Sequence, residues 1–137
     1  MKEIDVVAAI FERDGKILLA CRPPSGDQAG LWEFPGGKVE RGESQTQALI
    51  RELREELAID AAPGRYVASH SRPVSGRIIH LHAWHVPHWR GEMQLLSHSE
   101  LAWCTPEQAR DYPLAPADIP LLDAFMASRD ATPEDLC

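Results

Sequence analysis

Two glutamates four residues apart, Glu52 and Glu56, are the residues whose types and spacing point most directly to chemistry. No glycine or proline interrupts residues 44–57, and leucines recur there at helical spacing, so this segment is predicted to form a helix. On a helical wheel that starts at Leu49, Glu56 lies about 20° away and Glu52 about 60° away. Both carboxylates are therefore expected along one edge of the buried stripe, without a basic residue between them.

Two like charges beside an apolar stripe repel each other and lose hydration, so a cation is expected next to them. Ligand sets made of oxygen atoms favour hard divalent ions such as Mg²⁺ or Mn²⁺, which keep several waters and recruit substrate phosphates. An ordinary salt-bridged helix face is the alternative, because Arg51 and Glu55 have the spacing of an ion pair. The spacing alone leaves a metal site and such a face open.

Composition and charge restrict the class of protein. The chain has 137 residues, and its 14 Lys and Arg against 21 Asp and Glu give a net charge of −7, which disfavours binding to nucleic-acid polymers. Hydrophobic residues make up 44% of the chain, enough for the core of one domain. The first apolar run ends at Glu12, so neither a signal peptide nor a transmembrane segment is predicted. Three widely spaced cysteines favour reduced thiols and a cytoplasmic location, and the lack of a heptad seam favours a monomer.

Strand and helix signals alternate along the chain, which predicts an α/β (α+β) fold in a single domain. Apolar patterns predict strands over 4–11, 17–20, 65–71, 77–86 and 101–104, and helices over 44–57, from 105 and over 119–128. The Asp14-Gly15 pair predicts the turn of a hairpin between the first two strands, and a second turn is predicted over 73–76. The polar tail 129–137 is expected to fray.

A longer pattern around the glutamate helix is similar to the signature of the Nudix family. It consists of Gly37, five residues, Glu43, seven residues, and the run Arg-Glu-Leu-Arg-Glu-Glu-Leu-Ala-Ile over 51–59. The one departure within it is Ala58, where the family pattern has glycine. This change falls at the helix end, where it affects backbone freedom rather than a ligand, and no loss of activity is expected from it.

The start of the chain and the segments 33–37 and 112–120 resemble the MutT-like branch of this family, and within it the bacterial pyrophosphohydrolases of cytidine nucleotides. The resemblance implies one Nudix domain over residues 1–137, with a mixed β-sheet sandwiched between helices. It further implies that a loop–helix–loop holds Mg²⁺, or Mn²⁺ as a substitute, against the phosphates of a nucleoside triphosphate. The nucleotide is thus the expected small-molecule partner.

The resemblance also implies roles for individual residues of the signature. Glu52, Glu55 and Glu56 are expected to bind the metal, with help from the Gly36 carbonyl. Glu52 is further expected to take the proton from the attacking water, and Arg51 to orient the glutamates. The implied reaction is substitution at an internal phosphorus, which releases nucleoside monophosphate and pyrophosphate.

Three further residues are expected to bind the substrate. Arg22 matches a family position that contacts phosphates, for which a guanidinium is well suited, and a surface arginine is the alternative. Asp118 lies where the family reads the base, and an ionised carboxylate accepts from an amino group such as cytosine N4; its alternative is to cap a helix that begins at Ile119. Phe34 is a candidate for stacking on the base, with packing in the core as its alternative.

One acidic residue of the MutT-like pattern is missing at its expected place. Enzymes of this branch often carry a glutamate shortly before the tryptophan of a late strand, and counting back from Trp103 this position is Ser97. Glu100 is nearby in sequence, but the role is not carried over to it. The loss of this acid is expected to lower the rate or to change the residue that acts as base.

The function expected from the sequence is Mg²⁺-dependent hydrolysis of CTP and dCTP, including methylated or oxidised bases such as 5-methyl-dCTP, which would remove unwanted nucleotides from the pool. An 8-oxo-dGTP diphosphatase of the MutT type is the alternative within the family. A nucleotide-binding module without catalysis is the alternative of another class, and the intact set of Glu52, Glu55 and Glu56 argues against it.

Overall fold

The computed structural model describes residues 2–25 and 28–135. Within them the chain forms, in order, β1 (Lys2–Arg13), β2 (Lys16–Cys21), β3 (Trp32–Glu33), β4 (Gly36–Lys38), α1 (Gln45–Leu57), β5 (Asp60–Ala62), β6 (Tyr66–Val74), β7 (Arg77–Val86), β8 (His88–Arg90), β9 (Glu100–Cys104), α2 (Pro106–Ala109) and α3 (Asp118–Asp135). None of these helices combines the length and the apolar character needed to cross a membrane.

The main sheet is mixed and is organised around β1. Strand β1 pairs in parallel with β7, from Lys2 opposite Arg77 to Phe11 opposite Val86, and antiparallel with β2 and β4. The strand order is β3-β2-β1-β7-β6, with β4 also paired to β1 and β9 to β2, and a small second sheet joins β5 to β8. The mixed sheet expected for this fold is thus present.

Helices cover both faces of this sheet, which explains the continuous apolar run in β1. All five residues from 7 to 11 are buried. Val7, Ala9 and Phe11 belong to one core cluster with the apolar face of α1, whereas Ala8 and Ile10 belong to a second cluster with α3. A strand buried on both faces needs apolar residues at every position rather than at alternate ones.

Helix α1 confirms the predicted helix, and a capping box closes its amino-terminal end. Ser44 is the N-cap, and its side chain accepts a hydrogen bond from the backbone N–H of Gln47, while the Gln47 side chain accepts from the Ser44 N–H. At the other end Ala58 is the C-cap with φ 59°, a left-handed conformation that glycine adopts more easily. The departure at Ala58 therefore occurs where the family glycine relieves backbone strain.

The buried face of α1 differs from the one indicated by the wheel. The fully buried residues of the helix are Ala48, Leu49, Leu53 and Leu57. Ile50, which the wheel places in the apolar stripe, is partly exposed. Because Ala48 lies about 100° from Leu49 on the side of the glutamates, Glu52 and Glu56 fall within the buried arc rather than along its edge.

Several other predicted elements have different ends in the structure. The hairpin at Asp14-Gly15 is confirmed. Strand β6 continues to Val74, so Pro73 lies in a strand and not in the predicted turn; β6 is at the edge of the sheet, where proline is tolerated. Helix α3 begins at Asp118 and extends to Asp135 rather than ending at residue 128, and no glycine interrupts it. Residues 136 and 137 of the expected tail lie outside the described residues.

Candidate active site

Two glycines bring the backbone of β4 against the carboxylates of α1. A Cβ atom on Gly37 would overlap the carboxyl group of Glu52, and a Cβ atom on Gly36 would overlap the carbonyl of Val7 on the neighbouring strand. Gly36 and Gly37 pair with β1 while α1 packs against β4. Only glycine therefore allows the strand and the helix to come this close.

Arg51 connects the start of α1 to the glutamates. Its guanidinium donates Nε to Glu43 Oε2 at 2.7 Å and Nη2 to Glu43 Oε1 at 3.0 Å, a bidentate pair, and Nη2 also donates to the Lys38 carbonyl at 2.9 Å. Its Nη1 lies 3.3 Å from Glu52 Oε2 and 3.4 Å from Glu55 Oε1. The loop before α1 folds over the helix, so that its Glu43 holds the guanidinium beside the glutamates.

The charges of this group shift the pKa values of its members. The hydrogen bond from Arg51 lowers the pKa of Glu43, and the same bond raises the pKa of Arg51. Burial raises the pKa of Glu52, although the charge of Arg51 acts in the opposite direction. Arg51 thus partly compensates the repulsion between these carboxylates.

Glu56 is the most perturbed carboxylate of the site. Burial, followed by repulsion from Glu52 and Glu33, raises its pKa to about 8, although a hydrogen bond from the Gly36 N–H acts against the shift. Within the described chain its Oε1 is buried and has no hydrogen-bond partner. An unpartnered buried carboxylate oxygen is costly, and a bound cation would both satisfy it and keep the group ionised.

The residues present fit a hard divalent cation. The donors offered by α1 are all carboxylate oxygens, which suit Mg²⁺ or Mn²⁺. Glu56 Oε1 is unpartnered, while Glu52 and Glu55 make long contacts of 3.3 and 3.4 Å with Arg51. Among residues 2–25 and 28–135, no three His, Cys, Asp or Glu side chains are already gathered as a metal cluster, so Glu52 and Glu55 would have to turn from Arg51 to a bound ion.

A cavity of about 260 Å³ brings the expected substrate residues together with this group. Its lining includes Arg22, Phe34, Gly36, Gly37, Glu56 and Asp118. Apolar side chains of β1 and β7, among them Val6, Ile79 and Leu81, form another part of its wall. The cavity therefore joins Glu56 of α1 to the amino-terminal end of α3, and it combines charged and apolar walls, as a site for a phosphate chain and a flat base requires.

Asp118 is buried at the start of α3 and bonds across the chain. Its Oδ1 accepts a hydrogen bond from the Phe34 N–H at 3.2 Å, and the residue is 5% exposed. Burial raises its pKa to about 7, while the Phe34 hydrogen bond lowers it and Glu33 raises it further. Helix α3 begins at Asp118 rather than at Ile119. Near neutral pH the group is thus able to accept a hydrogen bond when ionised and to donate one when protonated.

The aromatic residues beside β4 pack mainly in the core. Phe34 is 3% exposed and belongs to the cluster that includes Phe125 of α3. Its ring therefore offers little open surface for stacking on a base, although the residue lines the cavity. Trp32 contacts the ring of Tyr112 edge to face, with centroids 5.0 Å apart.

Glu33 and His98, to which the sequence analysis assigns no role, also lie at the candidate site. Glu33 Oε1 accepts from Arg22 Nη1 at 2.9 Å, and Glu33 Oε2 lies 2.9 Å from His98 Nε2. His98 is buried, and its neighbour Ser97 lines a second cavity together with Glu56. The sequence points to Glu33 only through segment 33–37, which resembles the MutT-like branch. Nothing in the sequence connects residue 98 to residue 33.

Comparison with known proteins identifies relatives over nearly the whole chain. A family model described as the NUDIX domain matches residues 1–125. The CTP pyrophosphohydrolase of Escherichia coli K12 is 71% identical over 135 residues, which cover 98% of this chain and 100% of that protein. The 8-oxo-dGTP diphosphatase of Proteus vulgaris is 33% identical over 93 residues, covering 67% of this chain and 83% of that protein.

A solved structure supports the same relationship. The solution structure of the E. coli ORF135 protein superposes with a TM-score of 0.90 at 71% sequence identity, covering 97% of this chain and 95% of that chain. The family match includes β4, α1 and the start of α3, which carry the candidate site. The chain therefore belongs to the Nudix family of hydrolases.

Proposed function

We propose that this protein is a Mg²⁺-dependent pyrophosphohydrolase of nucleoside triphosphates that acts on CTP and dCTP, including forms with methylated or oxidised bases. The observation that carries the proposal is the cavity lined by both Glu56 and Asp118, because it joins a candidate metal site to a candidate base-recognition residue. The 71% identity to the E. coli CTP pyrophosphohydrolase supports the choice of substrate. Such an activity removes unwanted nucleotides from the pool.

The proposed reaction is attack of water on an internal phosphorus of the triphosphate. Glu52, Glu55 and Glu56, with the Gly36 carbonyl, would hold Mg²⁺, which would neutralise charge on the phosphates and activate the water. Glu52 takes a proton from the water, a P–O bond forms, and the bridging P–O bond breaks to release monophosphate and pyrophosphate. Arg51 keeps the glutamates in place, a role that its contacts with Glu52 and Glu55 support.

Arg22 is proposed to bind the phosphates. Its guanidinium is held by Glu33 at 2.9 Å and lines the cavity with Glu56. A guanidinium fixed in this way presents donors to phosphate oxygens with little loss of side-chain freedom.

Asp118 is proposed to select the base. When ionised it accepts a hydrogen bond from an exocyclic amino group such as N4 of cytosine, and the Phe34 N–H fixes the orientation of the carboxylate. Phe34 acts in this proposal through its backbone and by lining the cavity.

An 8-oxo-dGTP diphosphatase is the second candidate, and one observation favours it. With a pKa raised to about 7, Asp118 is partly protonated near neutral pH and is then able to donate to an oxygen of a purine. The Proteus vulgaris 8-oxo-dGTP diphosphatase is a relative of lower identity, at 33%.

A panel of substrates tests the proposal and separates the candidates. CTP, dCTP, 5-methyl-dCTP, dATP and 8-oxo-dGTP are each incubated with Mg²⁺, and release of monophosphate and pyrophosphate is followed. Highest kcat/KM for the cytidine nucleotides supports the proposal, whereas preference for 8-oxo-dGTP overturns the role given to Asp118. Tight binding without turnover of any nucleotide would indicate a nucleotide-binding module.

The proposed partners are limited to the small-molecule nucleotide, and the protein is proposed to act as a monomer in the cytoplasm. The net charge of −7 opposes binding to nucleic-acid polymers. Cys21 and Cys104 are free thiols, as is usual in a reducing compartment.

A further inference from the structure

Gln28 lies in the loop between β2 and β3 and has no part in the reaction proposed above. It lines the cavity assigned to the nucleotide, together with Arg22 and Asp118. The residue is exposed, and among residues 2–25 and 28–135 its side-chain amide makes no hydrogen bond. The amide is therefore available to a molecule that enters the cavity.

The backbone of Gln28 is held in a conformation that glycine adopts more easily. Its φ is 56°, in the left-handed region. The Leu31 N–H donates to the Gln28 carbonyl at 3.1 Å, and the Arg22 N–H donates to the Leu31 carbonyl at 2.9 Å, so the loop is closed at its base. A side chain kept at a position where glycine would be less strained indicates a use for that side chain.

The cavity offers few side-chain donors to a base. Of the described residues in its lining, Arg22 and Gln28 are the two whose side chains always carry N–H groups, and the others are apolar residues, glycines or carboxylic acids. Arg22 Nη1 already donates to Glu33 Oε1 at 2.9 Å, and its charge suits phosphates. Gln28 is thus the uncharged side-chain donor of the described lining.

A cytosine base needs such a donor. Its N4 amino group donates, and Asp118 is proposed to accept from it, whereas the neighbouring N3 and O2 atoms are acceptors. An ionised carboxylate does not donate to them. An acceptor that loses its water on binding without finding a donor weakens the complex.

We propose that the side-chain amide of Gln28 donates a hydrogen bond to N3 or O2 of the cytosine and is a specificity-determining residue of this site. This inference rests on the proposed activity towards cytidine nucleotides. Asp118 and Gln28 then read the two parts of one edge of the base, because the first accepts from the amino group and the second donates to the acceptors beside it.

Gln28→Gly removes the amide and relieves the backbone. We expect the dissociation constant of CMP, measured by calorimetry, to rise about two- to tenfold, as for the loss of one hydrogen bond, and that of pyrophosphate to stay unchanged. Ser75→Gly is the matched control, because Ser75 is also exposed with a left-handed φ of 49° but does not line this cavity. Unchanged CMP affinity in Gln28→Gly, or an equal loss for CMP and pyrophosphate, would overturn the proposal.

Gln28→Glu separates a contact with the base from a contact with the sugar. The carboxylate keeps the shape of the side chain but only accepts, so it faces two acceptors on cytosine and an N3–H donor on uracil. We expect this variant to weaken the binding of CMP more than that of UMP, and the ratio of the two cancels the added repulsion of the phosphate. An equal loss for CMP and UMP would indicate a sugar contact and overturn the proposal.

Folding and activity are controlled separately. The unfolding temperature of Gln28→Gly should change in the same direction as that of Ser75→Gly, and a fall confined to Gln28→Gly would show that the side chain supports the loop instead of the base. CMP binding needs no turnover. Gln28-dependent binding of CMP by a protein that does not hydrolyse CTP would therefore contradict the proposed function and leave the base contact supported, whereas CTP hydrolysis with wild-type CMP affinity in Gln28→Gly would do the reverse.

Discussion

Gly37 lies so close to Glu52 that a Cβ atom on the glycine would overlap the carboxyl group. This close approach is one between the sheet and the glutamate helix, because Gly37 is paired with β1 and Glu52 is on α1. The position of the carboxylate that is proposed to act as base is therefore fixed by a residue without a side chain.

Replacing Gly37 with alanine is expected to displace Glu52 and to lower kcat by about 100-fold or more, since a shift of about 1 Å at a catalytic group has this effect. The backbone at Gly37 is not in the left-handed region, so alanine is allowed there and the protein should fold. Steady-state kinetics with CTP measures the effect. Gly37→Ala should also change the unfolding temperature of the wild-type protein, but not that of Glu52→Ala, in which the overlapping group is gone. Wild-type kcat in Gly37→Ala alone would contradict the account.

Glu52→Gln is expected to remove the proton acceptor while keeping the shape of the side chain. We expect kcat to fall by about 10² to 10⁴, the range found for general bases, while nucleotide binding measured by calorimetry persists. Glu107→Gln, an exposed glutamate of α2, is the matched control and should retain full activity. Unchanged turnover in Glu52→Gln would exclude Glu52 as the base.

Asp118 is expected to make stability depend on pH. Its pKa is raised from 3.8 to about 7 by burial, so between about pH 4 and pH 7 the folded protein binds more protons at this position than the unfolded chain. Its contribution to stability is therefore present below about pH 4 and is lost as the pH rises through about 7. Relative to wild type, Asp118→Asn should become progressively more stable over this interval, as measured by thermal unfolding. Asp123→Asn, at a half-exposed aspartate of the same helix, is the matched control.

Arg22 and Asp118 are expected to affect different parts of the substrate. Arg22→Ala should raise KM for every nucleoside triphosphate by about tenfold, because a charge-assisted phosphate contact is lost whatever the base. Asp118→Asn should instead change the ratio of kcat/KM between CTP and 8-oxo-dGTP, because the asparagine amide donates as well as accepts. A change of base preference in Arg22→Ala would contradict the assignment of Arg22 to the phosphates.

Mg²⁺ is expected to stabilise the folded protein through Glu56. Saturating Mg²⁺ should raise the unfolding temperature, since a ligand that binds the folded state alone stabilises it, and a chelator should remove both this increase and the turnover of CTP. Glu56→Gln should abolish this increase in unfolding temperature, because it replaces the carboxylate that carries the unpartnered Oε1 with an uncharged amide. An equal Mg²⁺ effect in Glu56→Gln would exclude Glu56 as a ligand.

The parts of this structure that the sequence predicts are those with local signals. Helix α1 is defined by its leucine spacing and by the cap at Ser44, and the hairpin at Asp14-Gly15 needs only neighbouring residues. Strand β4 has the sequence Gly-Gly-Lys, without β-propensity, and forms because β1 pairs with its backbone. Strands as short as β3, β5 and β8 depend in the same way on partners that are distant in the sequence.

In the candidate site, too, the sequence predicts the residues with local signals and misses contacts between distant residues. The glutamates of α1 are predicted from their spacing and from the Nudix signature, and their partial burial follows once Ala48 is seen to be buried. The contact of His98 with Glu33 spans 65 residues, and no periodicity or motif links them. The path of Arg51 towards Glu43 depends on the fold of a loop, which helical spacing alone does not predict.

The central claim, that water attacks an internal phosphorus of a cytidine nucleotide under the control of Glu52, is tested most directly by following CTP hydrolysis in ¹⁸O-labelled water with Mg²⁺. The account predicts CMP and pyrophosphate in equal amounts, with the label in one of these two products, and almost none of either from Glu52→Gln. Release of CDP and labelled inorganic phosphate, or equal hydrolysis by the variant, would contradict it.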